Sequence, residues 1–153
     1  MSSTNDNAIV AKLAPLRAHA GTRRTVGLDD ATLTGFAGDV ELVEAVDAAV
    51  AEHGRIKQQF ADLLELDEVA QIEALQSGFI NFYQDDAVNP YVALTARGPW
   101  IVTLKGAVLH DSGGYGMLGF GHSPAKVIEA MAKPQAMANI MTPSLSQLRF
   151  NTL

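Results

Sequence analysis

The chain has 153 residues and a mass of 16.3 kDa, with 48% hydrophobic and 18% charged residues. That is one domain's worth of length with enough apolar material for a core, so disorder and membrane spanning are poor descriptions of it. Eleven Lys and Arg against seventeen Asp and Glu give a net charge of −6 and a pI near 5.0, which removes any general attraction to nucleic acid or anionic lipid. The absence of cysteine excludes a disulfide framework, a thiolate nucleophile and every Cys-ligated metal or iron–sulfur centre, and it fits a reducing cytosol.

Residues 1 to 7 are polar and carry no cationic stretch followed by an apolar run, so no secretory signal is read there. No apolar run approaches the ~20 residues of a membrane helix, and a cytoplasmic location is expected. Residues 8 to 20 form an amphipathic stretch interrupted by Pro15, and Asp29 with Asp30 starts a short helix through Phe36. From Asp39, Val43, Val46 and Val50 mark one helical face, and Ile56, Phe60 and Leu63 mark another. The phase slips at His53-Gly54, where glycine predicts a break, kink or short connection. A second helix carrying Val69, Ile72, Leu75, Phe79 and Phe82 is expected to run to about Tyr83, and Asn89-Pro90 ends any continuation.

Beyond residue 97 the chemistry changes. Six of the thirteen glycines are spread over residues 1 to 97, and seven fall between Gly98 and Gly121. Trp100, Val102 and Leu104 alternate with Ile101 and Thr103, Lys105-Gly106 supplies a turn, and residues 107 to 111 form a second extended run, which predicts a β-hairpin. Ser123-Pro124 reads as an N-cap serine followed by proline at the first helical position, with Val127, Ile128 and Met131 on the apolar face of the helix. Lys133-Pro134 stops that helix, and residues 136 to 142 are apolar enough to be buried. The fold class expected is α+β, a helical segment over 1 to 96 followed by a hairpin and helix.

Several segments invite a chemical reading. Gly114-Tyr-Gly-Met-Leu-Gly119 spells the dinucleotide-binding G-x-G-x-x-G, but Phe120 to Ser123 intervene before any helix signal. The acidic residue such a site needs about 20 positions on is also missing, because residues 136 to 153 contain no Asp or Glu. A glycine-rich loop needing positive φ accounts for the pattern. His19, His53, His110 and His122 are too scattered for a metal motif, and Asp85-Asp86 reads as a solvated turn. Tyr115, flanked by Gly113, Gly114 and Gly116, stands where the backbone has little cover and could present its ring and hydroxyl to a ligand. The same residue could equally anchor the loop to the core.

Taken as a unit, the run from Gly98-Pro-Trp-Ile-Val-Thr-Leu-Lys-Gly106 through Leu109-His-Asp111, Gly113-Gly-Tyr-Gly116 and Gly121-His-Ser-Pro124 resembles the N-terminal part of class III aminotransferases. These are pyridoxal-phosphate enzymes that move an amino group from an amino acid or amine to a 2-oxo acid. The resemblance covers roughly residues 97 to 150 and implies the opening of their small domain, with residues 1 to 96 as an N-terminal helical extension. It implies that Tyr115 lines the substrate pocket, and that Gly116, Gly121 and His122 shape a loop near the subunit interface. Met141 and Thr142 fall on a stretch that approaches the neighbouring subunit's site, and a homodimer is implied. At the turn, Thr103-Leu-Lys-Gly106 stands where the family commonly has Asp-x-x-Gly, and His110 replaces an apolar or aromatic residue. None of Lys12, Lys57, Lys105, Lys126 or Lys133 matches the Schiff-base lysine. The resemblance therefore implies a chain that ends before the catalytic apparatus, is inactive alone, and holds pyridoxal phosphate only as part of a longer parent. A stand-alone helical interaction module without catalysis is the competing expectation.

Overall fold

The computed structural model describes residues 8–78, 90–112 and 119–133. Helix α1, Ala8–Arg17, buries Ile9, Leu13 and Leu16 along one face. It runs through Pro15 instead of being interrupted there, and the Ala18 amide still reaches the Ala14 carbonyl at 2.9 Å. Proline removes one amide donor. Ala11, whose carbonyl loses that donor, is exposed to water, and Leu13 and Leu16 are buried on either side of the proline.

Two aspartates start the next helices, the first as the sequence predicts. The Asp29 side chain accepts from the Thr32 amide (2.7 Å) at the start of α2, Asp30–Gly35, and Asp39 accepts from Leu42 (3.0 Å) at the start of α3, Val40–Gln59. Helix α3 is continuous through Gly54, so the expected break is absent. Its buried face holds part of the valine stripe, Val46 in the core and Val43 packed against it, together with Leu42, Ala45, Ala49 and His53, whereas Val50 and Phe60 are exposed. The small side chains of Ala45 and Ala49 permit close approach to neighbouring backbone. The Thr95 hydroxyl uses this approach to donate to the Ala45 carbonyl at 2.8 Å.

Two short helices follow, α4, Ala61–Glu65, and α5, Glu68–Gln76. Helix α5 ends at Gln76, well before Tyr83, and its inward residues are Glu68, Gln71 and Ile72, while Val69 and Leu75 are exposed. Phe79, Phe82, Tyr83 and Asp85-Asp86 lie outside the described residues.

The predicted hairpin is present as β2, Trp100–Thr103, and β3, Val108–His110, with Trp100 opposite His110 and Val102 opposite Val108. A third strand that the sequence did not announce, β1, Ala93–Arg97, pairs antiparallel with β2, giving the order β1-β2-β3. Strand β2 is buried on both faces, and Leu16, Leu33, Val46, Trp100, Val102 and Val108 meet in one apolar core with the rest of α1 and α3. The hairpin turn is tied to α1, since Arg17 Nε donates to the Gly106 carbonyl at 3.0 Å.

This compact unit ends at Ser123. Residue 97 therefore marks a change in residue chemistry, and helices α1 to α3 before it share their core with the hairpin after it. The segment from Pro124 on is a separate unit, whose described part is the helix α6, Ala125–Ala132, with Val127, Ile128 and Met131 along one side. Ser123 is not its N-cap: Ser123 has φ +49°, Pro124 occupies the cap position, and no side chain caps the helix. Among the described residues no helix is long and apolar enough to cross a membrane.

Candidate functional site

Three separated pieces of the glycine-rich half converge at the end of the sheet. Gly98, just past β1, exchanges two backbone hydrogen bonds with His122: its amide donates to the His122 carbonyl at 3.1 Å, and its carbonyl accepts from the His122 amide at 2.7 Å. The Pro99 carbonyl then accepts from the Asp111 amide at 2.7 Å. Asp111 and His122 thus flank the Gly98-Pro99 turn, and their side chains meet, with His122 Nε2 3.0 Å from Asp111 Oδ2. Both side chains are partly covered, at 19% and 31% exposure, so the contact is shielded from bulk water more than a surface ion pair.

Glycine is required at two points of this cluster. Gly98 has φ +48°, a left-handed conformation that favours glycine, and a Cβ there would have to displace the end of the flexible Glu41 side chain. Gly121 has φ +72°, and a Cβ would stand 2.7 Å from the Gly98 Cα. Ser123 adopts the same left-handed region with a side chain, which costs backbone strain. Its carbonyl accepts from Arg97 Nη1 at 3.4 Å, so the end of β1 holds the strained residue in place.

An aromatic row underlies the cluster. Phe36 meets Trp100 edge-to-face (centroids 5.2 Å), and Trp100 meets His110 in the same manner at 4.8 Å. Trp100 is 1% exposed, and its indole nitrogen is buried without a hydrogen-bond partner. His110 thus fills, with a ring, the position where an apolar or aromatic residue was expected.

Of the sequence-predicted site residues, Gly121 and His122 belong to this cluster, whereas Tyr115, Gly116, Met141 and Thr142 lie outside the described residues. Among the described residues no group of three possible metal ligands forms. The arrangement can orient an imidazole and fix a loop. Sequence reasoning passed over a second set of polar groups, the buried Lys105, Glu68, Gln71 and His53. Lys105 stands in the hairpin turn, yet its Nζ donates to the carbonyls of Ala20 and Leu64, the latter at 3.0 Å. Burial pushes its pKa down, and Asp67, Glu65 and Glu68 oppose that shift. No local pattern marks Lys105 or Glu68, because their side-chain hydrogen-bond partners are 41 or more positions away in the sequence. Comparison of the chain with protein-family models, with curated proteins and with solved structures gives no match.

Proposed function

We propose that this chain supplies the N-terminal part of a class III, pyridoxal-phosphate-dependent aminotransferase, an enzyme moving an amino group from an amino acid or amine to a 2-oxo acid. The observation that carries the reading is the meeting of Gly98, Asp111, Gly121 and His122 in one cluster: residues that bear the resemblance are spread over 25 positions, yet they share contacts. The hairpin turn adds support. Thr103 stands where the family pattern has aspartate, and its hydroxyl accepts from the Ala107 amide at 3.0 Å, which is the turn-closing role a carboxylate would play.

The reading places the imine-forming lysine elsewhere in the parent enzyme. An imine requires a free lysine amine. Lys105 is buried with its Nζ spent on two backbone carbonyls, Lys12 pairs with Asp47, and Lys133 pairs with Glu129. In this reading Tyr115 contributes pocket wall, His122 and Asp111 hold the loop that leads to it, and cofactor chemistry belongs to other parts of the parent homodimer.

The test is borohydride reduction of the native polypeptide from its source cells, followed by peptide mapping. The reading expects a pyridoxyl-lysine outside Lys12, Lys57, Lys105, Lys126 and Lys133. A label on one of those five, or no label at all, overturns it.

A further inference from the structure

The densest set of buried polar groups outside the Gly98–His122 cluster lies where the end of α1, the C-terminal half of α3, helices α4 and α5, and the hairpin turn meet. Leu64 and Ile72 are buried in α4 and α5, but neither belongs to the apolar cluster that unites α1, α2, α3 and the sheet. Polar contacts fasten these two helices instead. Glu68 Oε2 accepts from the amides of Arg24 (2.6 Å) and Thr25 (2.7 Å), Asp67 accepts from the Thr22 amide (2.5 Å), and Lys105 bridges the Ala20 and Leu64 carbonyls.

Two histidines sit within this seam. His53, on α3, meets His19 edge-to-face at 5.3 Å, and His19 Nε2 is 3.9 Å from Glu65 Oε1. His53 Nε2 and His19 Nδ1 are both buried without a hydrogen-bond partner. The groups that act on His53 with like charge are His19 from the end of α1, Lys57 from its own helix and Lys105 from the hairpin turn. The acids of the seam, Glu65, Asp67 and Glu68, act on Lys105. A proton on His53 would add a cation among cations at a covered position.

We propose that this junction is an acid-operated latch, in which protonation of His53 releases α4 and α5 from the remainder of the compact unit while the sheet keeps its packing. Burial, then His19, Lys57 and Lys105, hold the His53 pKa below its ordinary 6.5. The closed form resists the proton and the open form accepts it. Closure is therefore fully favoured above pH 6.5 and weakens as pH falls below that value toward the depressed pKa. Segments fastened by few apolar contacts are the ones that open locally without global unfolding.

The test is hydrogen exchange by mass spectrometry on the full chain at about pH 7.5 and about pH 5.5, corrected for intrinsic exchange rates, a range that spans the ordinary histidine pKa. The expected result is a several-fold loss of protection over residues 61 to 76 at the lower pH, with residues 100 to 103 unchanged, and no such loss in His53→Gln. Unchanged protection over 61 to 76 in the unmodified chain overturns the latch, as does the same loss in His53→Gln or a loss that extends equally to 100 to 103. Should His53→Gln fail to fold, the imidazole resonance of His53 in the unmodified chain decides. A midpoint below the ordinary value, reached in step with the loss of protection, supports the latch, and a midpoint at or above that value overturns it.

Discussion

His122 and Asp111 carry the heaviest single contact in the candidate site, a 3.0 Å side-chain hydrogen bond at partial burial. Such a bond is worth about 1–2 kcal/mol. His122→Ala and Asp111→Asn should each lower the unfolding free energy by about that amount in urea titration, and the double variant should lose less than the sum. Additive losses would mean that the two side chains do not interact. Gly121→Ala should cost more, about 2–3 kcal/mol, because a left-handed φ and overlap with the Gly98 backbone act together. These glycines stood out in the sequence because only a backbone demand explains so many in 24 positions. The buried Glu68 and Lys105 did not, since charged residues are read as surface unless their partners are known.

Titration at this scale has two limbs of the same sign. Asp67 and Asp29 are held below the ordinary carboxylate value of 3.8 by the Thr22 and Thr32 amides, so their contribution is present above 3.8 and lost as pH falls through the lowered pKa. His53 acts higher, below pH 6.5. The melting temperature should therefore step down twice on acidification, and Asp67→Asn should reduce the lower step alone. A single step in thermal scans across pH would count against the assignment of His53.

At the scale of elements, α3 gives the sharpest contrast between pattern and outcome. Its valines suggested one face and its glycine a break, but the helix is continuous, and Leu42, Ala45 and Ala49 join Val43 and Val46 on the inward side while Val50 stays exposed. Alanine carries little weight in a hydrophobicity pattern, yet its size suits the tight contact with β1, so the packing partner chose the face. Gly54 is exposed, and a Cβ there meets nothing within 4 Å. Gly54→Ala should stabilise the chain by up to about 1 kcal/mol, as expected for a glycine in an uninterrupted helix. Destabilisation in chemical denaturation would restore the break. Leu42→Ala should cost about 2–5 kcal/mol, and Val50→Ala less than about 1 kcal/mol. The hairpin was legible from its alternation and its Lys-Gly turn. Strand β1, Ala-Leu-Thr-Ala-Arg, was not, because it lacks β-branched alternation and owes its form to pairing with β2.

For the whole molecule, helices α1 to α3 before residue 97 and the hairpin after it are built on one core, since Leu13, Leu33 and Val46 pack with Trp100, Val102 and Val108. A fragment ending at residue 96 should lose cooperative unfolding, which a calorimetric scan would register as a missing transition. The proposed identity makes this unit the opening of a longer enzyme, so the most direct measurement is the intact mass of the native polypeptide, captured by an antibody against residues 98 to 150. The account predicts a mass well above 16.3 kDa, with bound pyridoxal phosphate. A native mass of 16.3 kDa without the cofactor would contradict it.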